Sequence, residues 1–292
     1  MKVIIWLILC LIWGSTWFFI KIGLQDLPPI SFAATRFLLA LAILLGIIYF
    51  QKIPFPKTGR DWRLLGITGF LQFSVNYSLV FWSEQYITSG LAAVLQATIP
   101  VFGLALAWIH LPSEKVTGLK ISALLLGLGG VAVIFFEQLQ IDSLMAFWGS
   151  VGIVLGAYAA AHASILTKAL GSEMHPASLV FGQMFCGILP IVIYSLTVEG
   201  NPLGHNWSWR AIGSVLYLTL IGTIAAFWLY YWLLSKIEST KAMTIALVTP
   251  LIAVLIGGIF LGERLPPQTF FGGALILASI GLIVFRRRLK KA

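Results

Sequence analysis

Two stretches of the chain repeat one pattern, Ser89–Glu114 (SGLAAVLQATIPVFGLALAWIHLPSE) and Ser239–Glu263 (STKAMTIALVTPLIAVLIGGIFLGE). Each opens with a serine, reaches a proline eleven positions later and closes with a glutamate. Each apolar run is long enough to cross a bilayer, and its proline (Pro100 or Pro250) removes a helical hydrogen bond near the middle. Lipid tolerates such a break only where protein or a cavity satisfies the freed carbonyl. Two breaks in equivalent places of two halves point to a transporter built from repeats, with the prolines as hinges.

The composition is typical of a membrane protein. Hydrophobic residues make up 59% of the 292 residues and charged residues 10%, against about 25% charged residues in soluble domains. No soluble core could bury this much apolar surface, so the solvent must be largely lipid. The net charge of +9 does not indicate nucleic-acid binding, because the basic residues fall in short loops and in the tail. Cys10 and Cys186 both lie in apolar runs, which indicates neither a disulfide framework nor a metal site, and no cofactor is implied.

Ten apolar segments of about 20 residues are predicted to span the membrane as helices. They cover residues 3–24, 30–50, 63–83, 89–110, 116–136, 143–168, 176–198, 209–234, 239–261 and 267–285. The connections between them are short and hold the prolines expected of loops. The sequence therefore predicts an all-α membrane protein with ten transmembrane helices and no separate soluble domain.

The distribution of Lys and Arg predicts the orientation of these spans. With the N-terminus in the cytoplasm, 15 of the 19 basic residues lie on the cytoplasmic side. These residues are Lys2, Lys52, Lys57, Arg60, Arg63, Lys115, Lys120, Lys168, Lys236, Lys241, Arg286, Arg287, Arg288, Lys290 and Lys291. We therefore expect a multi-pass protein of the cell inner (plasma) membrane with both termini in the cytoplasm.

The ten spans divide into two halves of five, residues 1–137 and 138–292. Because five is odd, the second half enters the membrane from the opposite side, so the halves form an inverted repeat. The two prolines are 150 residues apart. In an inverted repeat, Pro100 and Pro250 meet near mid-membrane, and the glutamates that close the two stretches lie on opposite faces.

Motifs in the first two helices and at the ends of the repeated stretches carry a family resemblance. The first helix holds LIWGSTWFFIK (Leu11–Lys21), and the second holds FAATRFLLA with Arg36. The repeated stretches end in TIPVFGLALAWIHLPSE and VTPLIAVLIGGIFLGE. In these motifs the chain resembles the drug/metabolite transporter superfamily, specifically its EamA-type exporters, over essentially its whole length. Gly262-Glu263 matches the family, whereas Ser113 stands where the family usually has glycine. The resemblance implies inverted five-helix repeats, a central pathway and export of amino acids or other small metabolites.

Polar residues at mid-membrane depth are the first candidate substrate-binding groups, because each is costly where it faces lipid. Gln72 and Asn76 are four residues apart and share one face of the third helix, beside Tyr77. Gln96 precedes Pro100 by four residues, so its carbonyl loses its helical partner. We expect these residues to line a path for an amphipathic solute. The alternative is that the amides join helices by hydrogen bonds.

Aromatic residues form a second set of candidates. Trp17 lies in the first helix, and Tyr158 and His162 share a face of the sixth. The eighth helix carries Trp228 and, in a stripe with Thr223 and Phe227, Tyr231. Such rings could sandwich a planar or cationic solute. Trp and Tyr also mark membrane interfaces and packed cores, so each ring either lines the path or packs.

Two titratable residues within the spans have two interpretations each. His162 could carry a coupling proton, since a histidine changes charge near neutral pH, or could be a hydrogen-bonded core residue. Arg36 could attract a carboxylate, or could reach outward and pair with a loop acid or carbonyl. The coupling ion is therefore left open.

Two other classes of membrane protein compete with a transporter. An intramembrane enzyme acting on a lipid or isoprenoid would need clustered catalytic groups, and the sequence holds no HExxH, GxSxG or deep carboxylate pair. A channel would need a filter or a repeated charged lining. The expected partners of a transporter are a small-molecule substrate and the lipid bilayer. The GxxxG pairs Gly152–Gly156 and Gly258–Gly262 serve internal packing or dimerisation, so a monomer and a homodimer both stay open.

Overall fold

A computed structural model describes residues 1–83, 86–87, 89–136, 139, 143–171, 173–261 and 267–289. The predicted boundary between the halves, the Gly262-Glu263 pair and the tail residues Lys290 and Lys291 lie outside these residues. Within the described ranges the regular secondary structure is entirely helical. The predicted all-α class is therefore confirmed for this part of the chain.

The helices are numbered α1 to α10 in chain order. Where a helix continues past a bend or a break, both parts share one number. In the first half they are α1 (Lys2–Gly23), α2 (Pro29–Phe50), α3 (Gly59–Ser83), α4 (Ser89–Gln96 and Ile99–His110) and α5 (Gly118–Ile134). In the second half they are α6 (Leu144–Leu170), α7 (Pro176–Gly187 and Leu189–Glu199), α8 (Trp209–Lys236), α9 (Ser239–Met243 and Ile245–Leu261) and α10 (Pro267–Leu289). Each of the ten predicted apolar segments overlaps one of these helices along the chain.

Seven of the described helices are long and apolar enough to cross a membrane, namely α1, α2, α3, α4, α6, α8 and α9. α7 qualifies only as a bent pair whose two parts meet at 43°. Pro190, the second residue of the second part, cannot donate a backbone hydrogen bond, which accounts for the bend. α5 and α10 have shorter apolar stretches and pack side by side. Large apolar side chains such as Phe50 and Trp108 are exposed on the outer surface, as expected of a bundle that lies in lipid.

The helices of the two halves interleave. α1 packs along α8 and α9, and α6 packs along α3 and α4. α2 packs on α7 and α8, and α3 packs on α7. At the α3–α7 crossing, Gly69 lies so close to the backbone of Gln183 that a side chain there would collide with it. Phe37, Phe73 and Ile153 are among the large side chains buried between these helices, and residues of both halves pack in the main hydrophobic cluster.

Two π-helical stretches interrupt α3 and α8, at Phe70–Asn76 and Leu220–Ala225, and a third ends α7 at Ser195–Glu199. In a π turn the backbone hydrogen bonds join residues five apart, and such turns often occur at functional sites. The sequence predicted regular α-helix in both places. The two stretches begin 150 residues apart (220 − 70), which is also the spacing of the two prolines.

The two repeated stretches differ in local structure at their prolines. α4 breaks just before Pro100, whereas α9 breaks at Thr244 and carries Pro250 inside a continuous helix. In α9 the Thr249 hydroxyl donates to the carbonyl oxygen of Ala246 at 3.4 Å. This is the carbonyl that Pro250 deprives of its helical partner. The role of the two prolines as hinges stays a prediction.

Candidate functional site

A cavity of about 200 Å³ lies between the helices, and both halves of the chain contribute its walls. Helices α1, α2, α3, α4, α6, α8 and α9 all face it. Its polar lining residues are Thr16, Arg36, Gln72, Asn76, Gln96, Ser164 and Thr249, and its aromatic ones are Trp13, Trp17, Tyr77, Phe81, Phe227 and Tyr230. Walls that combine apolar rings with a few amides and hydroxyls suit a small amphipathic solute.

The π-helical stretches of α3 and α8 lie at the cavity wall. Gln72 and Tyr77 of α3 line it, as do Gly222 and Phe227 of α8. Both pairs are five residues apart, the spacing of a π turn. At Gly222 a Cβ atom would lie 3.0 Å from Thr16 Cγ2, so the glycine lets α8 approach α1 closely.

Rings from α1 and α8 form one wall of the cavity. The ring centroid of Trp13 lies 5.7 Å from that of Phe227 and 5.2 Å from that of Tyr230. The Tyr230 hydroxyl donates a hydrogen bond to Ser164 Oγ of α6 at 3.2 Å. These contacts hold the rings in place at the cavity wall, where they can contact a planar or apolar group.

Amides from α3 and α4 form another part of the lining. Gln96 Nε2 donates to Asn76 Oδ1 at 3.3 Å. Gln96 Oε1 is buried and accepts no hydrogen bond from the described residues. A buried acceptor without a donor costs roughly 1–3 kcal/mol, and a donor on a bound solute would offset that cost. Gly152 and Gly156 bring α6 against this region, since their Cβ atoms would lie 2.5 Å from Ser83 Oγ and 3.2 Å from Asn76 Oδ1.

Arg36 brings a positive charge to the cavity wall. It is 4% exposed, and its Nη2 donates to the Tyr77 hydroxyl at 3.3 Å. The guanidinium carbon lies 4.5 Å from the centroid of the Phe37 ring and 5.2 Å from that of Tyr77. These cation–π contacts offset part of the cost of burying the charge. Arg36 makes no ion pair with an acid of the described ranges, so it does not reach outward to a described loop carboxylate.

Five of the candidate binding residues meet at the cavity: Trp17, Gln72, Asn76, Tyr77 and Gln96. These residues lie on α1, α3 and α4, and the packing of the helices brings them together. Each is a polar or aromatic group that an apolar span does not otherwise need. Their roles in binding stay predictions.

Tyr158, His162 and Trp228 lie away from the cavity lining. The Tyr158 ring is 5.7 Å from that of Phe102, and the His162 ring is 5.6 Å from that of His110, so this face of α6 packs on α4. Trp228 lies 5.3 Å from the ring of His175. The structure therefore does not bring these three residues to the candidate site.

Tyr231 belongs to a buried hydrogen-bond network and not to the cavity lining. Its hydroxyl donates to Gln183 Oε1 at 2.5 Å. Gln183 Nε2 donates in turn to the hydroxyls of Thr68 and Thr167, both at 2.8 Å. The network joins α3, α6, α7 and α8, so Tyr231 holds helices together.

Sequence reasoning missed Tyr230 and Ser164 of the cavity wall. The α-helical stripe of Thr223, Phe227 and Tyr231 is replaced in the structure by Gly222, Phe227 and Tyr230. Residues three and four apart are both neighbours on a helix face, so spacing alone does not choose between Tyr230 and Tyr231. The π turn moves Gly222 to the cavity in place of Thr223, and no residue type marks such a turn.

At one end of the bundle a buried carboxylate, that of Glu114, joins several helices. We call this end of the bundle the Glu114 end. Glu114, in the connection between α4 and α5, is 7% exposed. Its carboxylate accepts hydrogen bonds from the Ser239 N–H at 2.9 Å and the Ser239 hydroxyl at 2.5 Å, and it pairs with Lys168 Nζ at 2.7 Å. The carboxylate thus caps the start of α9, where the helix dipole favours a negative charge. Lys168 also donates to the carbonyl of Ile237.

Comparison with known proteins places the chain in a family. It matches the EamA-like transporter family over residues 1–136 and 147–285. It is 26% identical to the uncharacterized transporter YoaV of Bacillus subtilis, over 94% of each chain. Over 96% of this chain and 90% of the relative, it is 29% identical to the uncharacterized inner membrane transporter YedA of Escherichia coli. It is 25% identical to a probable amino-acid metabolite efflux pump of Escherichia coli, over 98% of this chain and 95% of that protein.

A solved crystal structure has the same fold. It superimposes with a TM-score of 0.83 at 13% identity, over 99% of this chain and 98% of the other. Together with the family match along nearly the whole sequence, this agrees with the resemblance seen in the motifs. The chain belongs to the EamA-like transporter family.

Proposed function

We propose that the protein is a secondary transporter that exports amino acids or other small metabolites across the cytoplasmic membrane by alternating access. The observation that carries this proposal is the cavity with polar and aromatic walls, to which both halves of an apolar bundle contribute. Buried polar groups are costly unless they have partners, and a transported solute would supply partners for part of each cycle. The family match and the efflux-pump relative support the same function.

The proposed architecture is ten spans in two inverted five-helix repeats, residues 1–137 and 138–292. Helix contacts support it, because they recur with the halves exchanged: α1 packs on α8 and α9 as α6 packs on α3 and α4. The prolines and the π-helical stretches of α3 and α8 support it too, since each pair recurs at an offset of 150 residues. With five spans in each half, the second half runs through the membrane in the opposite direction.

The Glu114 end is proposed to face the cytoplasm, together with both chain termini. Basic side chains gather there on the connection between α8 and α9. Lys2 donates to the carbonyl of Lys236 at 3.1 Å, and Lys120 pairs with Glu238 at 3.3 Å, which Lys241 also approaches at 3.9 Å. Cytoplasmic loops of membrane proteins carry an excess of such residues.

Alternating access requires contacts that form in one state and break in the other. The pairing of Glu114 with Lys168 and Ser239 is a suitable contact, because it joins the α4–α5 connection to α6 and α9 at one end of the bundle. Its release would free that end, with Pro100 and Pro250 as the proposed hinges within α4 and α9. In this scheme the cavity is alternately accessible from the two sides of the membrane.

Counterflow in proteoliposomes tests the transport proposal. Vesicles containing the purified protein are loaded with an unlabelled amino acid, and uptake of the same radiolabelled amino acid is followed for a panel of neutral and aromatic amino acids. We expect saturable uptake that exceeds that of protein-free vesicles for at least one of them. If no member of a broad metabolite panel moves while a lipid is chemically converted, the protein is an enzyme and the proposal is wrong.

A pair of substitutions tests whether the cavity is the binding site. Gln72→Leu removes an amide from the wall, and the loss of one hydrogen bond should raise the KM by about tenfold. Trp228→Phe alters a ring outside the lining and should leave the KM within a factor of about two. Both variants are compared at equal amounts in the membrane. Equal effects on KM would contradict the assignment of the cavity.

A further inference from the structure

We propose that Arg36 binds the carboxylate of the transported solute, so that the cavity selects organic carboxylates with an aromatic or apolar body over cations of the same shape. This inference rests on the proposed transport function and names the chemical class of its substrate. It starts from a charge inside the bundle that the described part of the chain does not neutralise.

Arg36 is the eighth residue of α2, about two helical turns inside the bundle. Among the described residues, no Asp or Glu lines the cavity with it. The described acids with assigned contacts serve elsewhere. Glu114, Glu199 and Asp61 cap the starts of α9, α2 and α3. Glu238 pairs with Lys120, and Asp26 accepts a hydrogen bond from Ser208. The cavity therefore presents a positive charge and no described negative one.

The groups around Arg36 leave part of its hydrogen-bonding capacity unused. Its Nη2 donates to Tyr77, but its Nε is buried and has no partner in the described ranges. An arginine side chain carries five N–H donors in a planar fork that matches the two oxygens of a carboxylate. Cation–π contacts with Phe37 and Tyr77 stabilise the charge without using its N–H donors, and the remaining donors of the fork can pair with such an anion.

The rest of the wall suits the remainder of such a solute. Gln96 Oε1 is a buried acceptor without a described donor, and it can receive an N–H group. The rings of Trp13, Phe227 and Tyr230 offer an apolar surface on the same cavity. A carboxylate, an N–H donor and an aromatic or aliphatic body together describe a neutral amino acid or a related acid. An amine without a carboxylate would leave Arg36 unpaired and add a second positive charge.

A purely structural role for Arg36 makes a different prediction. Through Tyr77 and through its own carbonyl, which accepts a hydrogen bond from Thr219 at 3.2 Å, Arg36 also links α2 to α3 and α8. If that linkage were its whole role, substitution would weaken transport of all solutes equally. A carboxylate-binding role changes the ratio between solutes with and without a carboxylate.

Competition against counterflow separates these roles. Radiolabelled phenylalanine is the tracer, or another carboxylate that moves in the transport assay, and the competitors are 3-phenylpropanoate, phenylalaninamide and phenethylamine. In the wild type we expect 3-phenylpropanoate to inhibit at concentrations at least about tenfold lower than the two amines, since a hydrogen-bonded charge pair is worth a factor of roughly 10 to 100 in affinity. In Arg36→Gln this preference should disappear.

Two further variants control for folding and for general charge. Arg36→Lys keeps the charge but not the fork, and we expect it to retain part of the preference even if Arg36→Gln does not fold. Arg210→Gln removes an exposed arginine at the start of α8 and should leave the preference unchanged.

Each other outcome decides against one specific proposal. If the amines compete as well as 3-phenylpropanoate in the wild type, or if Arg36→Lys and Arg36→Gln both keep the wild-type ratio, the carboxylate role is wrong while transport stands. If phenethylamine is transported and no carboxylate is, the selectivity is the reverse of the inference. If no solute of either class moves, the transport function itself fails and the inference fails with it.

Discussion

Replacement of Glu114 by Gln tests whether the contact at the Glu114 end holds the bundle in the state described here. The substitution keeps the shape of the side chain and an oxygen that can accept from Ser239, but it removes the charge that pairs with Lys168 at 2.7 Å. The Lys168 side chain is 15% exposed and the Glu114 side chain 6%. The ammonium group would then keep the carbonyl of Ile237 as its partner, without a counterion in this contact.

The expected loss of stability is about 2 kcal/mol. Breaking a fully buried ion pair costs about 3–5 kcal/mol, and three features reduce that figure here: the position at the bundle end, the partial exposure of Lys168 and the carbonyl that it retains. A hydrogen bond to a charged group contributes about 1.5–3 kcal/mol against about 1 kcal/mol for a neutral one, and the upper end of this difference, about 2 kcal/mol, agrees with that value. For a chain of this size the midpoint of thermal unfolding should fall by about 4 °C.

The same energy acts on the transport cycle if the contact forms in only one state. A change of 2 kcal/mol shifts a two-state equilibrium by about 30-fold. Glu114→Gln should therefore populate the state that is open at the Glu114 end. A cysteine placed at Ala242, a buried lining residue in the first part of α9, should react faster with a thiol reagent applied from that side.

Thermal unfolding is measured in detergent with a dye that becomes fluorescent on reaction with thiols, in a Cys186→Ser background. Cys10 is 1% exposed, so it reacts when the fold opens. The matched control is Glu173→Gln, which removes the same charge from an exposed position between α6 and α7. We expect Glu173→Gln to melt within about 1 °C of the unsubstituted protein. If Glu114→Gln does so as well, the contact does not stabilise the protein as argued.

Two further substitutions test the helix packing. Gly69→Ala should destabilise the protein by about 1–3 kcal/mol, because its Cβ would meet the backbone of Gln183. Gly66→Ala, with open space around its Cβ, should be neutral or slightly stabilising; similar melting temperatures for the two variants would contradict this. Tyr231→Phe should cost about 1–2 kcal/mol by removing the donor to Gln183, with KM unchanged in the counterflow assay. A raised KM would indicate that Tyr231 takes part in substrate binding.

The membrane class and the positions of the helices follow from local properties of the chain. An apolar run of about 20 residues needs no tertiary partner to partition into lipid as a helix. Local reasoning also found part of the cavity wall. Gln72 and Gln96 interrupt apolar spans, and a polar side chain there must face protein or water, because lipid offers no partner.

The same reasoning could not separate the cavity from other buried polar positions. Tyr231 and His162 meet the criterion as well as Gln72 does, yet one lies in a hydrogen-bond network and the other packs beside His110. Which face of α8 turns toward the cavity depends on the π turn at Leu220–Ala225. A π turn depends on how the neighbouring helices pack, and here Gly222 lies against Thr16 of α1.

The repeated stretch shows which features can be predicted from the sequence and which depend on the tertiary structure. Its serine, proline and closing glutamate can be read in the chain, and their recurrence is sufficient to predict a repeat. That Glu114 of one copy caps Ser239 at the start of the other, 125 residues away, appears only in the folded bundle. Sequence determines the apolar runs and their breaks because partition into lipid and helix formation are local. Tertiary structure decides which charges and rings meet, because packing brings together groups that are far apart along the chain.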